Sequence, residues 1–438
     1  MFARVLPFAL AVLWFVSGCE KTDHDSIDKW VRTEKGPGKL KTAVGNEDLD
    51  ADLSAHAAEN LIKMGQEADV RSAFEKMSPG RRTLVVGKLA PRLWNDARIE
   101  DEKKLPGAAQ ISAKDGLVTI RKWADESQKQ QIDSYLTDWY AVTSYEGRAP
   151  GGQYTGATVV RMIGPSIAKK LIDVLNGVIA APGQEKSKYR IGDELMLALA
   201  ASGSPEAVKK LLDVARMDRG DKTLATRAMM ALYTAYIDPN GLFDIVGPEP
   251  LVQNLDGIVA IAKDDTQPGK VINTAIDLIR AIGAPACLAP LVGMVGTPHK
   301  ESRFKYVAAN NALRCGGTKS IVEVVKALPE GGAYIKDELT GAIAGEIAKM
   351  TPRDQVLAAC RQLLAEKSTI AKWTAIEALA AMKSVEDKPR IAALAKNKEK
   401  LTGYWGEDAE GKQDPTLGQR AKELADQLGG AAPAPEHK

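Results

Sequence analysis

Cysteine and histidine are the side chains best able to do chemistry without a cofactor, and this chain holds four of each. His24, His56, His299 and His437 lie far apart in the sequence, two of them in stretches near the chain ends that read as unstructured. No histidine or second cysteine stands at zinc-ligand spacing from any cysteine. The expectation is therefore no metal, no cofactor and no acid/base pair. With Cys19 set aside, Cys287, Cys315 and Cys360 remain, an odd number that leaves at least one thiol. Cys360, within LAACRQLL, reads as a small buried helix residue. Cys287 and Cys315 flank neighbouring corners of a repeat, so a disulfide between them is conceivable. No Gly-x-Ser-x-Gly elbow or His-Glu-x-x-His pair occurs. The glycine-rich stretch Thr143–Thr158, TSYEGRAPGGQYTGAT, matches no phosphate-binding fingerprint and follows no strand. It is either a binding lip or an insertion between two repeats. No catalytic residue is expected.

The elements that would position any site are helices. Across 438 residues, 45% hydrophobic but only 5% aromatic, the Ala, Leu, Lys and Glu content favours helix faces over strands. The 59 basic and 57 acidic residues nearly cancel and are interleaved, so no field suited to nucleic acid follows. Paired lysines, Lys169-Lys170 and Lys209-Lys210, occupy equivalent places and read as outward helix faces or as one basic stripe.

Residues 1–18 begin with one positive charge, Arg4, and an apolar run from Val5 to Val16 that is too short to span about 30 Å of hydrocarbon. This is an export signal. Its end, Val16-Ser17-Gly18-Cys19, resembles the lipobox of bacterial lipoproteins. The resemblance implies cleavage between Gly18 and Cys19, acylation of Cys19, and a body tethered on the extracytoplasmic side of a bacterial membrane. More than one acyl chain would hold it there persistently, at about 0.8 kcal/mol per buried CH₂. Glu20 is not the aspartate that retains such proteins in the inner membrane, which favours the outer membrane.

Residues 19–50 are charged, carry Gly36-Pro37-Gly38, and read as a tether with one short helix near Leu40 to Val44. Residues 51–428 form the expected folded body. Ala57, Ala58, Leu61 and Ile62 line one helix, Gly65 ends it, and Val70, Ala73, Phe74 and Met77 line the next. Lys104 to Asp115 reads as a polar loop. From residue 159 to 394 the repeat is clearest, with corners at Gly164, Gly203, Gly247, Gly283, Gly316, Thr351 and Lys383, at intervals of 39, 44, 36, 33, 35 and 32 residues. Glycine ends one helix, Ser or Thr caps the next, and Pro205, Pro285 or Pro352 fits its first turn. Such a pair buries its apolar faces only by stacking on its neighbours. Thr416–Leu428 reads as a closing helix, and residues 429–438 as a disordered tail.

The corners GAPACLAPL at Gly283–Leu291 and GSPEAVKKLL at Gly203–Leu212 resemble those of HEAT repeats of the short bacterial kind. The resemblance implies an all-α, right-handed α-solenoid of stacked helical hairpins that binds other proteins and brings no catalytic set. The expected function is thus a lipid-anchored interaction scaffold whose partners are proteins of the cell envelope. The competing readings are a structural envelope element with no dedicated ligand, and a HEAT-like lyase-type enzyme.

Overall fold

The computed structural model describes residues 22–101, 104–180, 192–217, 222–297, 303–330, 336, 338–406 and 410–429. The signal segment with Gly18 and Cys19, His299, His437 and the tail from 430 lie outside the described residues. The chain is all-α, and among the described residues the one extended pairing is an isolated bridge between Lys400 and Thr416. It divides into two compact units at residues 155/156.

Unit 1 contains α1 (His24–Trp30), α2 (Gly36–Gly45), α3 (Ala51–Lys63), α4 (Glu67–Lys76), α5 (Pro79–Ala97), α6 (Ala108–Ile120), α7 (Glu126–Tyr140) and the single turn α8 (Tyr145–Arg148). Two expectations are corrected here. Residues 24–45 hold the short helix expected near Leu40 to Val44, as part of α2, and a second helix where only a tether was expected, capped by the Asp23 carboxylate, which accepts from the Ser26 N–H at 2.8 Å. Their apolar residues are few, yet Ile27 and Trp30, then Leu40, Ala43 and Val44, recur at three- and four-residue spacing and are buried. Low apolar content concealed a correct helical period. The stretch read as a polar loop to Asp115 instead enters α6, whose Ala113, Leu117 and Ile120 face the core with α3 and α5 packed against them.

Unit 2 is a ladder of helix pairs. They are α9 (Gly156–Ile163) with α10 (Ala168–Ala180), α11 (Asp193–Ala201) with α12 (Pro205–Ala215), and α13 (Lys222–Tyr236) with α14 (Glu249–Val252) and α15 (Leu255–Ala262). Next come α16 (Gly269–Ala281) with α17 (Leu288–Val295), and α18 (Arg303–Gly316) with α19 (Ile321–Lys326). The π-helical segment Glu338–Ala344 leads into α20 (Gly345–Lys349), which pairs with α21 (Arg353–Leu364), and α22 (Thr369–Ala381) pairs with α23 (Lys388–Ala392). The first members stack on one another in the order α9, α11, α13, α16, α18, the π-helical segment and α22. The second members form a parallel row, with α10 on α12, α12 on α15, and α17 and α21 on α19. This is the solenoid arrangement.

Glycine ends the first helix at four corners as expected, but Ser204 and Ser384 make no side-chain capping bond to the next helix, and of the three prolines only Pro205 lies in a first helical turn. Gly164, Gly203, Gly283 and Gly317 have φ of 84°, 68°, 84° and 63°, so the left-handed residue at the fifth corner is Gly317 and not Gly316. Gly203 has a second reason to lack a side chain, because a Cβ there would come within 3.2 Å of the Val246 Cγ1. At the last corner Lys383 takes φ 56°, a conformation costing a non-glycine residue about 1 kcal/mol.

The stack ends on α24 (Leu417–Gln427), which starts with a capping box between Thr416 and Gln419. Its Arg420 reaches the enclosed helix α22, where it donates to both oxygens of Glu377 at 2.6 and 2.9 Å, while the Trp373 indole donates to the same carboxylate at 2.9 Å. Burial alone would push the Arg420 guanidinium down, but Glu377 and Glu423 hold it above its ordinary value.

Cys287, at the start of α17, is joined by a disulfide to Cys315 in the last turn of α18, with Cα atoms 6.3 Å apart and a sequence separation of 28. Cys360 is buried in α21, and burial pushes its thiol up to about 12, which leaves it protonated and inert. The cross-link restricts the unfolded chain, so reduction, or the double change Cys287→Ser and Cys315→Ser, lowers unfolding free energy by about 2–4 kcal/mol in urea titrations. Cys360→Ser leaves the effect of reductant unchanged.

Candidate functional site

The longest interval in the ladder, between the corners at Gly203 and Gly247, contains a loop from residue 237 to 248 that carries exposed apolar side chains. Asn240 and Gly241 have φ of 52° and 72° in succession and turn the chain sharply after α13. The Asp238 carboxylate supports the turn by accepting from the Asn240 N–H at 3.2 Å. The loop's carbonyls are then taken up by α9. The Thr158 hydroxyl donates to the Leu242 oxygen at 3.1 Å, and the Arg161 guanidinium donates to the oxygens of Asp244 and Ile245 at 3.2 and 3.4 Å. Val246 is buried and its N–H bonds the Ala235 carbonyl at 2.9 Å. With the backbone fixed on one side, Leu242 and Ile245 are left 44% and 51% exposed on the other, followed by Val252 at 38%. Asp238, Asp244 and Glu249 are exposed among them.

The stretch Thr143–Thr158 is different. Its portion within unit 1 is drawn inward around Lys114 of α6, a fully buried ammonium. The Lys114 Nζ donates to Asp115 Oδ1 at 2.5 Å and to the carbonyls of Gly151 and Tyr154 at 2.9 and 2.8 Å, so all three of its protons are engaged. Asp115 Oδ2 accepts from the Gln153 N–H at 2.6 Å. Gly152, at φ 92°, lies so close that a Cβ would fall 2.3 Å from that oxygen. Burial holds the Lys114 ammonium below its ordinary value, against the opposing pull of Asp115. Arg148, also buried, donates to the Trp139 carbonyl at 2.9 Å, and Tyr145 packs on Tyr140 with ring centroids 5.8 Å apart. The stretch is an insertion stapled into the core and not a lip, and Lys114 has no free proton or lone pair for catalysis.

Lys169 and Lys170 are exposed, and Lys209 pairs with Asp213 one turn away at 2.9 Å, as an outward helix face would. The structure brings together two histidines that the sequence separates by 32 residues, His24 and His56, with their Nδ1 atoms 2.9 Å apart. The chain separation hid them. No group of three or more His, Cys, Asp or Glu side chains suited to a metal ion occurs among the described residues, and no helix among them is long and apolar enough to cross a membrane.

No family model matches the chain, and no curated protein does. Among solved structures, an engineered protein aligns at 15% identity over 90% of this chain and 99% of its own, with a TM-score of 0.27. Human deoxyhypusine hydroxylase in complex with glycerol aligns at 14% identity over 79% and 97%, with a TM-score of 0.23. Kap121p bound to Ste12p aligns at 11% identity over 93% of this chain but 42% of that one, with a TM-score of 0.30. Superpositions this loose add nothing to the fold, which rests on the stacking of the helix pairs.

The Lys114 staple is directly testable. Lys114→Met strands the Asp115 carboxylate in the core and lowers stability by about 3 kcal/mol. Limited trypsin digestion then cuts after Arg148 at a rate the wild-type chain does not show, and the double variant Lys114→Met, Asp115→Leu regains most of the lost stability.

Proposed function

We propose that this chain is a non-catalytic, protein-binding scaffold of HEAT-like helical repeats, anchored through an acylated Cys19 on the extracytoplasmic side of a bacterial membrane, with the outer membrane favoured. The observation that carries the binding role is the loop around Leu242 and Ile245. Three of its carbonyls accept from Thr158 and Arg161 of α9, so the apolar side chains are presented at little further ordering cost when a partner covers them. The three carboxylates around them, Asp238, Asp244 and Glu249, suit a partner whose apolar anchor is flanked by lysine or arginine.

Export is supported by the apolar segment ahead of Gly18-Cys19, and a disulfide between Cys287 and Cys315 is at home in an oxidising compartment. Metabolic labelling with a radioactive fatty acid tests the anchor: wild type takes up label, Cys19→Ala does not, and an unlabelled wild type removes the proposal. For binding, capture from detergent-solubilised envelope is expected to yield one stoichiometric protein. Leu242→Asp with Ile245→Asp reduces that capture at least thirtyfold while the helical circular dichroism and the urea midpoint stay unchanged. Equal capture by the variant would move the binding surface elsewhere.

A further inference from the structure

His24 lies at the start of α1 and His56 in the middle of α3, and the two rings meet edge to edge, with centroids 5.0 Å apart and an interplanar angle of 38°. Each ring has a carboxylate on its far nitrogen. His24 Nε2 is 3.3 Å from Asp52 Oδ2, and His56 Nε2 is 2.9 Å from Asp28 Oδ1. Both carboxylates are themselves held, Asp52 by Arg92 at 3.0 Å and Asp28 by the Asn60 amide at 3.3 Å. A carboxylate beside Nε2 fixes the tautomer that carries its proton there. The two Nδ1 atoms face each other 2.9 Å apart, a separation at which one donates a proton to the other or both hold a common positive ion. Two lone pairs at that distance repel unless a positive centre lies between them, and the choice is a proton or a metal ion.

We propose that His24 and His56 form a two-imidazole site for a divalent late transition-metal ion, with Cu(II) bound most tightly. The arrangement of carboxylate, imidazole and facing nitrogen, present twice, is the one by which proteins orient metal-binding histidines. Two nitrogens at this separation, each about 2.0–2.1 Å from an ion, subtend about 90° at it, the cis angle of a tetragonal centre. Imidazole nitrogens rank Cu(II) above Ni(II) and Zn(II). The His24 side chain is 49% exposed, so water can complete the coordination on that side, while the His56 side chain at 12% is the fixed ligand.

The test uses the full mature chain carrying no histidine tag. Titration with Cu(II) is expected to saturate at one ion per chain, and pulsed electron paramagnetic resonance should show the remote nitrogens of two equatorial imidazoles. His24→Phe and His56→Phe each weaken Cu(II) at least thirtyfold, and Asp28→Asn, which leaves both ligands in place, weakens it about tenfold. Zn(II) competes only weakly. Because His24 is largely exposed, its variant stays folded by circular dichroism and keeps the result interpretable if the His56 change disturbs α3. Copper retained by the double histidine variant, a spectrum with no or one imidazole, or a pair that takes up one proton on titration but no stoichiometric copper would each overturn the site.

Discussion

Each first-row helix of unit 2 presents apolar surface on more sides than its own partner can cover, and everything else in the unit follows from that surplus. In α16, Val271, Ile272, Ala275, Ile276, Leu278 and Ile279 are all buried, a set too wide for the single face that α17 offers. The remainder is covered by α13 and α15 on one side and α18 on the other. At about 1.5–3 kcal/mol for each large aliphatic side chain removed from water, the stacking term far exceeds anything a corner or a surface ion pair contributes. The same surplus makes the end of the row a problem. In α22 even Trp373, Thr374 and Glu377 are enclosed, and α24 is the helix that covers them.

Enclosing a helix that completely brings polar groups inside, and the buried charges Glu377, Lys114 and Asp387 are each compensated locally, whereas neutral groups such as the Tyr140 and Tyr236 hydroxyls are not. Glu377 is satisfied by Arg420 and Trp373, Lys114 by Asp115 and two carbonyls, and Asp387 by Arg361, Arg390 and Ser384. These pairs add little net stability over well-packed apolar residues, because desolvation offsets most of the attraction. Their effect is on arrangement. An apolar α24 could slide along α22, whereas the bidentate contact between Arg420 and Glu377 fixes one register. Lys114 likewise fixes which turn of the stretch 143–155 enters the core, a choice that a segment of glycines and small residues could not make by packing.

Where sequence and structure agree, the signal was a sum over many residues. The ladder from Gly164 to Lys383 was legible because helical period and corner glycines both pointed to it, and misplaced corners, Gly316 for Gly317 and Gly247 for the turn at Asn240-Gly241, did not disturb the rest. Where they part, the signal was short or non-local. α1 is seven residues long and shows only Ile27 and Trp30 to the core, below what any window average detects among so many charges. α6 was obscured because Lys114 and Asp115, which any polarity scale assigns to the surface, are buried against each other. The pairing of His24 with His56 depends on α1 lying beside α3, and no spacing in the sequence encodes that.

The two places proposed to bind something share a physical character that explains both their visibility in the structure and their obscurity in the sequence. A repeat is readable because its residues are constrained by burial, and residues free of that constraint carry no period. Leu242 and Ile245 sit in the interval that departs furthest from the others, in a loop whose backbone is held by Thr158 and Arg161 from α9 as well as by Ala235 and Asp238 of its own repeat. His24 and His56 sit on helices whose core faces are Ile27 and Trp30 in one and Leu61 and Ile62 in the other, and only the His24 imidazole is spared packing duty. In both, the rigid elements underneath are set by apolar burial, and the groups above them are positioned by a few polar contacts that the stability of the fold does not require. Such contacts hold an aliphatic side chain in water, or two ring nitrogens face to face, and their cost is offset when something else binds there.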